Sequence, residues 1–249
     1  MSHHGHGSGL ASASKAHRIL RFVLVGSPNC GKTTLFNALT GLRAKTGNYP
    51  GVTVARYEGR HRVGEADVII EDLPGTYSLE AISPDEEVVS QVLGDGVSVG
   101  SPITGQIVLL DATSLRRSLT LLSHVQQVSR PTLVVLTFTD ELARRGGSID
   151  IKALSRAIGV RVIPIVAGDR AGVEELSEAL SSVDSWPAPI VSPPIGQSDV
   201  FSWSASVLEA AHYREADTDR RSRGIDRVLL HPLWGTLVFF ATMYAFFQI

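Results

Sequence analysis

The sequence of 249 residues is short of cysteine, of net charge and, at its end, of any charge at all. A single cysteine, Cys30, excludes an internal disulfide and any zinc site built from several thiolates, and fits a reducing compartment. Lys and Arg number 23 against 25 Asp and Glu, a net charge of −2, so the chain has no global field for gripping phosphates and nucleic acid is not an expected partner. The N-terminus, MSHHGHGSGLASASK, lacks the apolar stretch of a signal peptide. It reads as a flexible tail over residues 1–18, in which His3, His4 and His6 could chelate a divalent metal but fit a tag-like or merely flexible start better. What the chain does have is 43% hydrophobic residues, enough to bury a substantial core.

From Ile19 to about Leu180, short apolar runs (RFVLV, DVIIED, QIVLLDA, PTLVVLT, VRVIPIV) alternate with segments of helical period such as TTLFNALTG and GVEELSEAL. Strands alternating with helices predict an α/β fold, a mainly parallel sheet with helices on both faces, over residues 19–184. The more polar, alternating ARYEGRHRV is expected to be an edge strand beside DVIIED. Gly41 and Gly159 stand where helix C-caps are expected. SWPAPIVSPPIGQ is too rich in proline for regular structure and marks a linker over 185–202. A short helical segment over 203–231, with Arg220, Arg221, Arg223 and Arg227, follows as a second, smaller unit. The uncharged residues of 232–249 read as the opening of a transmembrane helix cut short, because a span needs about 20 apolar residues. The arginines before it, with Trp234 at the boundary, orient the folded part to the cytoplasm.

Residues 26–33, Gly26-Ser27-Pro28-Asn29-Cys30-Gly31-Lys32-Thr33, read GxxxxGK[ST] between an apolar strand and a helical segment, the context a P-loop requires. Glycines let backbone N–H groups curl round a phosphate, and the N-terminus of the helix, entered through Thr33 and Thr34, adds its dipole. Lys32 is expected to reach the β- and γ-oxygens and Thr33 to ligate Mg²⁺. Asp72, closing VIIED before Leu73-Pro74-Gly75, fits a carboxylate that supports the metal, with the Gly75 N–H facing a γ-phosphate. Thr53, after Gly51 and Val52 in NYPGVT, is placed to give Mg²⁺ a second hydroxyl if its loop closes over nucleotide. Residues 42–56 and 75–95 are then the segments that order around a γ-phosphate. The Asn29 carbonyl has two readings of equal weight, as a ligand for a monovalent cation such as K⁺ near the phosphates or as a stiffener of the loop.

GTPases usually read guanine with Asn-x-x-Asp, and here that place holds Thr137-Phe138-Thr139-Asp140. Asp140 keeps the acceptor for the base, Thr137 cannot reproduce the carboxamide bonds, and Val166-Ala167 is left to offer a backbone N–H to guanine O6. Guanine preference is therefore expected to be weakened. Thr76 follows DLPG where Ras-like proteins carry a water-orienting Gln, and no arginine finger is evident, so hydrolysis is expected to be slow.

The motifs GSPNCGKTTLFNALTG, GNYPGVTV, EDLPGTYSL with SPDEEV, and IDRVLLHPLWG resemble the cytosolic GTPase head of the ferrous iron transporter B (FeoB) family over residues 19–183 and 205–249. The resemblance implies a Ras-like P-loop NTPase fold, GTP or GDP with Mg²⁺ bound by these residues, K⁺ activation through Asn29, and nucleotide control of Fe²⁺ uptake. It implies a transmembrane permease as partner and a place on the cytoplasmic side of the bacterial inner membrane, with a homo-oligomer left open. The stretch from Ser185 to His231 is shorter than the family's helical domain. Read from the residues alone, a nucleotide-responsive binding switch with incidental hydrolysis, or a soluble P-loop GTPase unrelated to iron, are the alternatives.

Overall fold

The computed structural model describes residues 19–64, 66–80, 83–98, 100–189, 192–216 and 229–248. The expectations for the tail with His3, His4 and His6, and for Arg220, Arg221, Arg223 and Arg227, lie outside the described residues. The first half runs β1 (Ile19–Gly26), α1 (Lys32–Thr40), β2 (Ala44–Asn48), β3 (Ala55–Val63), β4 (Ala66–Asp72), α2 (Pro84–Asp95), and the two-residue strands β5 (Val97–Ser98) and β6 (Ser101–Pro102). The second half runs β7 (Gly105–Asp111), α3 (Leu115–Val125), β8 (Thr132–Thr137), α4 (Thr139–Arg144), α5 (Ile151–Ile158), β9 (Val162–Ile165), α6 (Arg170–Ser181) and α7 (Gln197–Ala210). A last helix covers Pro232–Gln248.

Seven strands form one sheet in the order β2-β3-β4-β1-β7-β8-β9. Strands β4, β1, β7, β8 and β9 are mutually parallel, while β3 runs antiparallel to both β2 and β4. The expected mainly parallel α/β fold is therefore present, with one correction. ARYEGRHRV is β3 and lies inside the sheet, because Ala44–Asn48 adds an outer strand to it. All five residues of β2 are exposed, so no apolar pattern announced it. It also means that part of the segment expected to order only around nucleotide is a strand in this structure.

Alternation along β1 decides how the core divides. Leu20, Phe22 and Leu24 face α1 and α6 through Leu35, Phe36, Leu39, Leu176 and Leu180. Val23 and Val25 face the other layer, where Val89, Leu93, Leu119 and Leu122 of α2 and α3 meet Leu154 of α5. Helix α7 joins this second layer through Val207 and Leu208, packing on α3 and α5. It starts at Gln197, inside the stretch read as linker, because the prolines end at Pro194 and Gly196 offers an extended N-cap. Both C-cap glycines are left-handed, at φ 62° for Gly41 and 72° for Gly159. Helix α2 begins with a reciprocal capping box between Ser83 and Glu86 behind Pro84. The last helix buries none of its side chains, and among the described residues no helix is long and apolar enough to cross a membrane.

Two outcomes follow from this packing. Leu119 is fully buried between sheet and helices, so Leu119→Ala should lower unfolding free energy by about 2–5 kcal/mol in urea titration. Cys30 sits in the α1-side core, and burial pushes its thiol up to about 11, with Lys32 pulling weakly the other way. At pH 8 the native chain should react with a thiol reagent far more slowly than the urea-unfolded chain, and equal rates would contradict this burial.

Candidate functional site

Strand β1 is the point where the chain divides, with β4 and β2–β3 on one side and β7, β8 and β9 on the other. Open α/β sheets bind ligands outside the carboxyl ends of their strands at such a point. The loop Ser27–Gly31 leaves the end of β1 there and turns into α1. Asn29 (φ 64°) and Gly31 (φ 89°) are both left-handed, a conformation that Gly adopts freely and Asn better than most residues. The turn aims the N-terminus of α1, whose first N–H groups have no carbonyl partner within the helix, into a cavity of about 610 Å³. Pro28, Asn29, Lys32, Thr33 and Thr34 line it.

At the rim of this cavity, side chains from two elements meet. The Lys32 ammonium donates to Asp72 Oδ1, and the Thr33 hydroxyl lies 3.5 Å from Asp72 Oδ2. Lys32 and Asp72 retain only 10% and 6% exposure, so the pair is shielded from water. Burial pushes the Asp72 carboxyl above its usual range, opposed by Lys32 and by the hydrogen bonds from Lys32 and Thr33. The pair forms because β1 and β4 are parallel neighbours in register, Leu24 beside Asp72, so the loop after one strand reaches the last residue of the other.

The DLPG loop docks onto the P-loop through its backbone. Leu73 N–H donates to Leu24 O at 3.2 Å and Thr76 N–H to Gly26 O at 3.1 Å. A Cβ on Gly75 would stand 3.1 Å from the Pro28 backbone, so a side chain there would press the two loops apart by a few tenths of an ångström, and Gly75 lines the cavity with the P-loop. Thr76 is buried, and its hydroxyl is committed to Ser78 O, with Glu86 Oε1 at 3.4 Å. Asp85, in the first turn of α2, also lines the cavity. Sequence reasoning passed over it, because an acid in a first helical turn is ordinary capping.

A second cavity of about 440 Å³ opens on the other side of Gly31, between α1, β8, β9 and α6. Leu35, Ala38, Val135, Ile165 and Val173 make it largely apolar, and Thr137, Val166 and Ala167 line it as well. Thr137 is nearly buried, and its hydroxyl lies 2.9 Å from Cys30 O and 3.2 Å from Leu110 O, fastening the end of β8 to the P-loop. That role was invisible in a motif reading that treated Thr137 only as a missing carboxamide. Phe138, left-handed at φ 59°, lines both cavities, so one aromatic ring stands where they join.

The expected site residues are thus distributed unevenly. Asn29, Gly31, Lys32, Thr33, Thr34 and Gly75 lie on the P-loop cavity with Asp72 bonded at its rim, and Thr137, Val166 and Ala167 lie on the apolar one. Gly26 and Cys30 are buried beneath the loop and act through backbone: Gly26 O accepts from Thr76 and Cys30 O from Thr137. Asp140 is exposed in the first turn of α4 and is not among the residues lining the apolar cavity. Gly51, Val52 and Thr53 line neither cavity, and Thr53 is exposed.

Residues 20–180 match the family described as ferrous iron transport protein B. The Fe(2+) transporter FeoB of Leptospira biflexa is 41% identical over 163 residues, covering 66% of this chain and 23% of that protein. That of Legionella pneumophila strain Lens is 42% identical, covering 64% and 21%. The chain thus spans less than a quarter of the length of these curated relatives. Among solved structures, the cytosolic domain of L. pneumophila FeoB aligns with a TM-score of 0.63 at 37% identity, over 72% of this chain and 68% of that one. The G domain of the T. maritima FeoB iron transporter aligns at 0.62 and 32% identity, over 68% of this chain and all of that one. An S. thermophilus NFeoB mutant bound to GDP aligns at 0.60 and 33% identity, over 65% and 60%. With a P-loop at the switch point of a GTPase-type sheet and a family match across two thirds of its length, this chain belongs to the ferrous iron transport protein B family.

Proposed function

We propose that the chain is the nucleotide-binding head of a ferrous iron transporter, binding GTP and GDP with Mg²⁺ and hydrolysing GTP slowly. The meeting of Lys32, Thr33 and Asp72 at the mouth of the P-loop cavity carries this reading. A phosphate there meets the N–H groups and positive end of α1 together with the Lys32 ammonium, which exchanges one anionic partner, Asp72, for another. The Thr33 hydroxyl and Asp72 carboxylate are hard oxygen donors close together, a set suited to Mg²⁺ rather than to a softer metal. When bound, Mg²⁺ neutralises phosphate charge. The Gly75 N–H is the donor for a γ-phosphate, and Thr53 joins the metal only if the loop Gly51–Thr53 closes. Asn29, beside Lys32 on the same cavity, is the candidate K⁺ ligand that supplies the charge an arginine finger gives elsewhere.

Slow turnover is supported by Thr76: its hydroxyl is buried and already engaged, so the position after DLPG has no free group to orient water. The same observation favours a second reading, a nucleotide-responsive switch in which hydrolysis is incidental. Relaxed base specificity is supported by the apolar lining of the second cavity and by the position of Asp140 outside it. The exposed, uncharged helix Pro232–Gln248 supports reading this end of the chain as the part nearest the membrane portion, with the head on the cytoplasmic side of a bacterial inner membrane beside the permease.

Equilibrium binding of GDP, a non-hydrolysable GTP analogue and ATP, in K⁺ and in Na⁺, tests this. The chain should bind guanine nucleotides, Lys32→Ala should weaken binding by roughly 10- to 150-fold, and K⁺ should accelerate GTP turnover over Na⁺. ATP should bind within about tenfold of GTP if the base site is relaxed, one charge-assisted hydrogen bond being the difference expected otherwise. Failure to bind any of the three would overturn the proposal.

A further inference from the structure

Glu71, the residue before Asp72 and next to last on β4, is a fully buried acid in a largely apolar strand. Alternation along the strand sends it to the face opposite Asp72, away from both cavities. Four elements converge on its carboxylate. Arg56 Nε of β3 lies 3.1 Å from Oε1 and an Arg21 guanidinium nitrogen of β1 3.3 Å from Oε2. The Tyr49 hydroxyl donates to Oε1 at 2.8 Å, and the Ser98 hydroxyl lies 2.7 and 2.6 Å from the two oxygens. Glu58, directly opposite Glu71 in the β3–β4 register, binds the same two arginines, so two acids and two bases close a neutral cluster.

A buried ion cluster is rarely the most stable way to fill a core, so its partners are the informative part. Tyr49 anchors the loop that carries Thr53: its ring is buried, its N–H donates to Val54 O at 3.1 Å, and Val52 N–H donates to Tyr49 O at 3.3 Å. Ser98 lies in β5, immediately after α2, and α2 carries Asp85 of the P-loop cavity and the Glu86 contact to Thr76. One carboxylate therefore holds the loop of Thr53 from one side and the end of α2 from the other. We infer that Glu71 is a positioning residue that couples these two segments, so that the ordering of one by a γ-phosphate lowers the cost of ordering the other. This rests on the nucleotide reading above. Glu71 touches no substrate in it, and acts only by fixing Tyr49 and Ser98.

The test uses Tyr49→Phe and Ser98→Ala, which each remove one tether, their double variant, and Glu71→Gln. Affinities for GDP and for a non-hydrolysable GTP analogue are measured with Mg²⁺, with thermal unfolding in parallel. Each single variant should weaken the GTP analogue by about tenfold, the worth of a hydrogen bond to a charged group, while GDP stays within about twofold. The double variant should lose clearly less than the product of the two singles. Glu71→Gln should reproduce the double variant's selectivity; if it fails to fold, the tether variants still decide. Equal losses for both nucleotides, multiplicative losses in the double variant, or tighter binding of the GTP analogue would each overturn the coupling. If the wild-type chain binds neither nucleotide, the nucleotide reading fails and takes this inference with it; if it binds both and the variants keep its selectivity, only the inference fails.

Discussion

Two parallel strands, β1 and β4, deliver a lysine and an aspartate to the same edge of the sheet, and the site is built round that adjacency. Lys32 and Asp72 are 40 residues apart in sequence and come together only because Leu24 pairs beside Asp72. The strand pairing is in turn fixed by burial on both faces: Phe22 and Leu24 on one side, Val23 and Val25 on the other, and a slip of one residue would exchange the two sets. The position of the Lys32 amine is thus a consequence of core packing.

Around that pair, the loops of the site are braced unequally. The P-loop is braced from below by Thr137, whose hydroxyl reaches Cys30 O, and from the side by Thr76 N–H on Gly26 O. Both braces use backbone of the loop, so neither engages the side chains of Asn29, Lys32 or Thr33, the last two of which meet Asp72 instead. Among the described residues the loop of Thr53 has no brace of that kind on the cavity. Its anchor is Tyr49, held on the far face of the sheet by Glu71.

The fold was legible where burial writes a period into the sequence. β1, β4, β7, β8 and β9 were all visible as apolar runs, and the glycine caps at Gly41 and Gly159 marked two helix ends. β2 was not visible, because its five residues are exposed and its pairing depends on β3 alone. The start of α7 at Gln197 was masked by the prolines before it. In the site, the P-loop and DLPG were readable because their chemistry demands fixed spacings. The bracing role of Thr137, and the places of Phe138 and Asp85, were not, because they come from where β8 and α2 end in space. Glu71 was the least legible: a Glu beside Asp72 in VIIED looks like a second acid of the same motif, and only the pleat sends the two to opposite faces.

The most direct test of the account is a crystal structure of the chain grown with GDP and Mg²⁺. The account predicts the phosphates on the N–H groups of Gly31 to Thr33, the base in the apolar cavity beside Phe138, and Lys32 turned from Asp72 to the β-phosphate. A nucleotide bound elsewhere, or one bound at the P-loop with the Lys32–Asp72 pair intact, would contradict it.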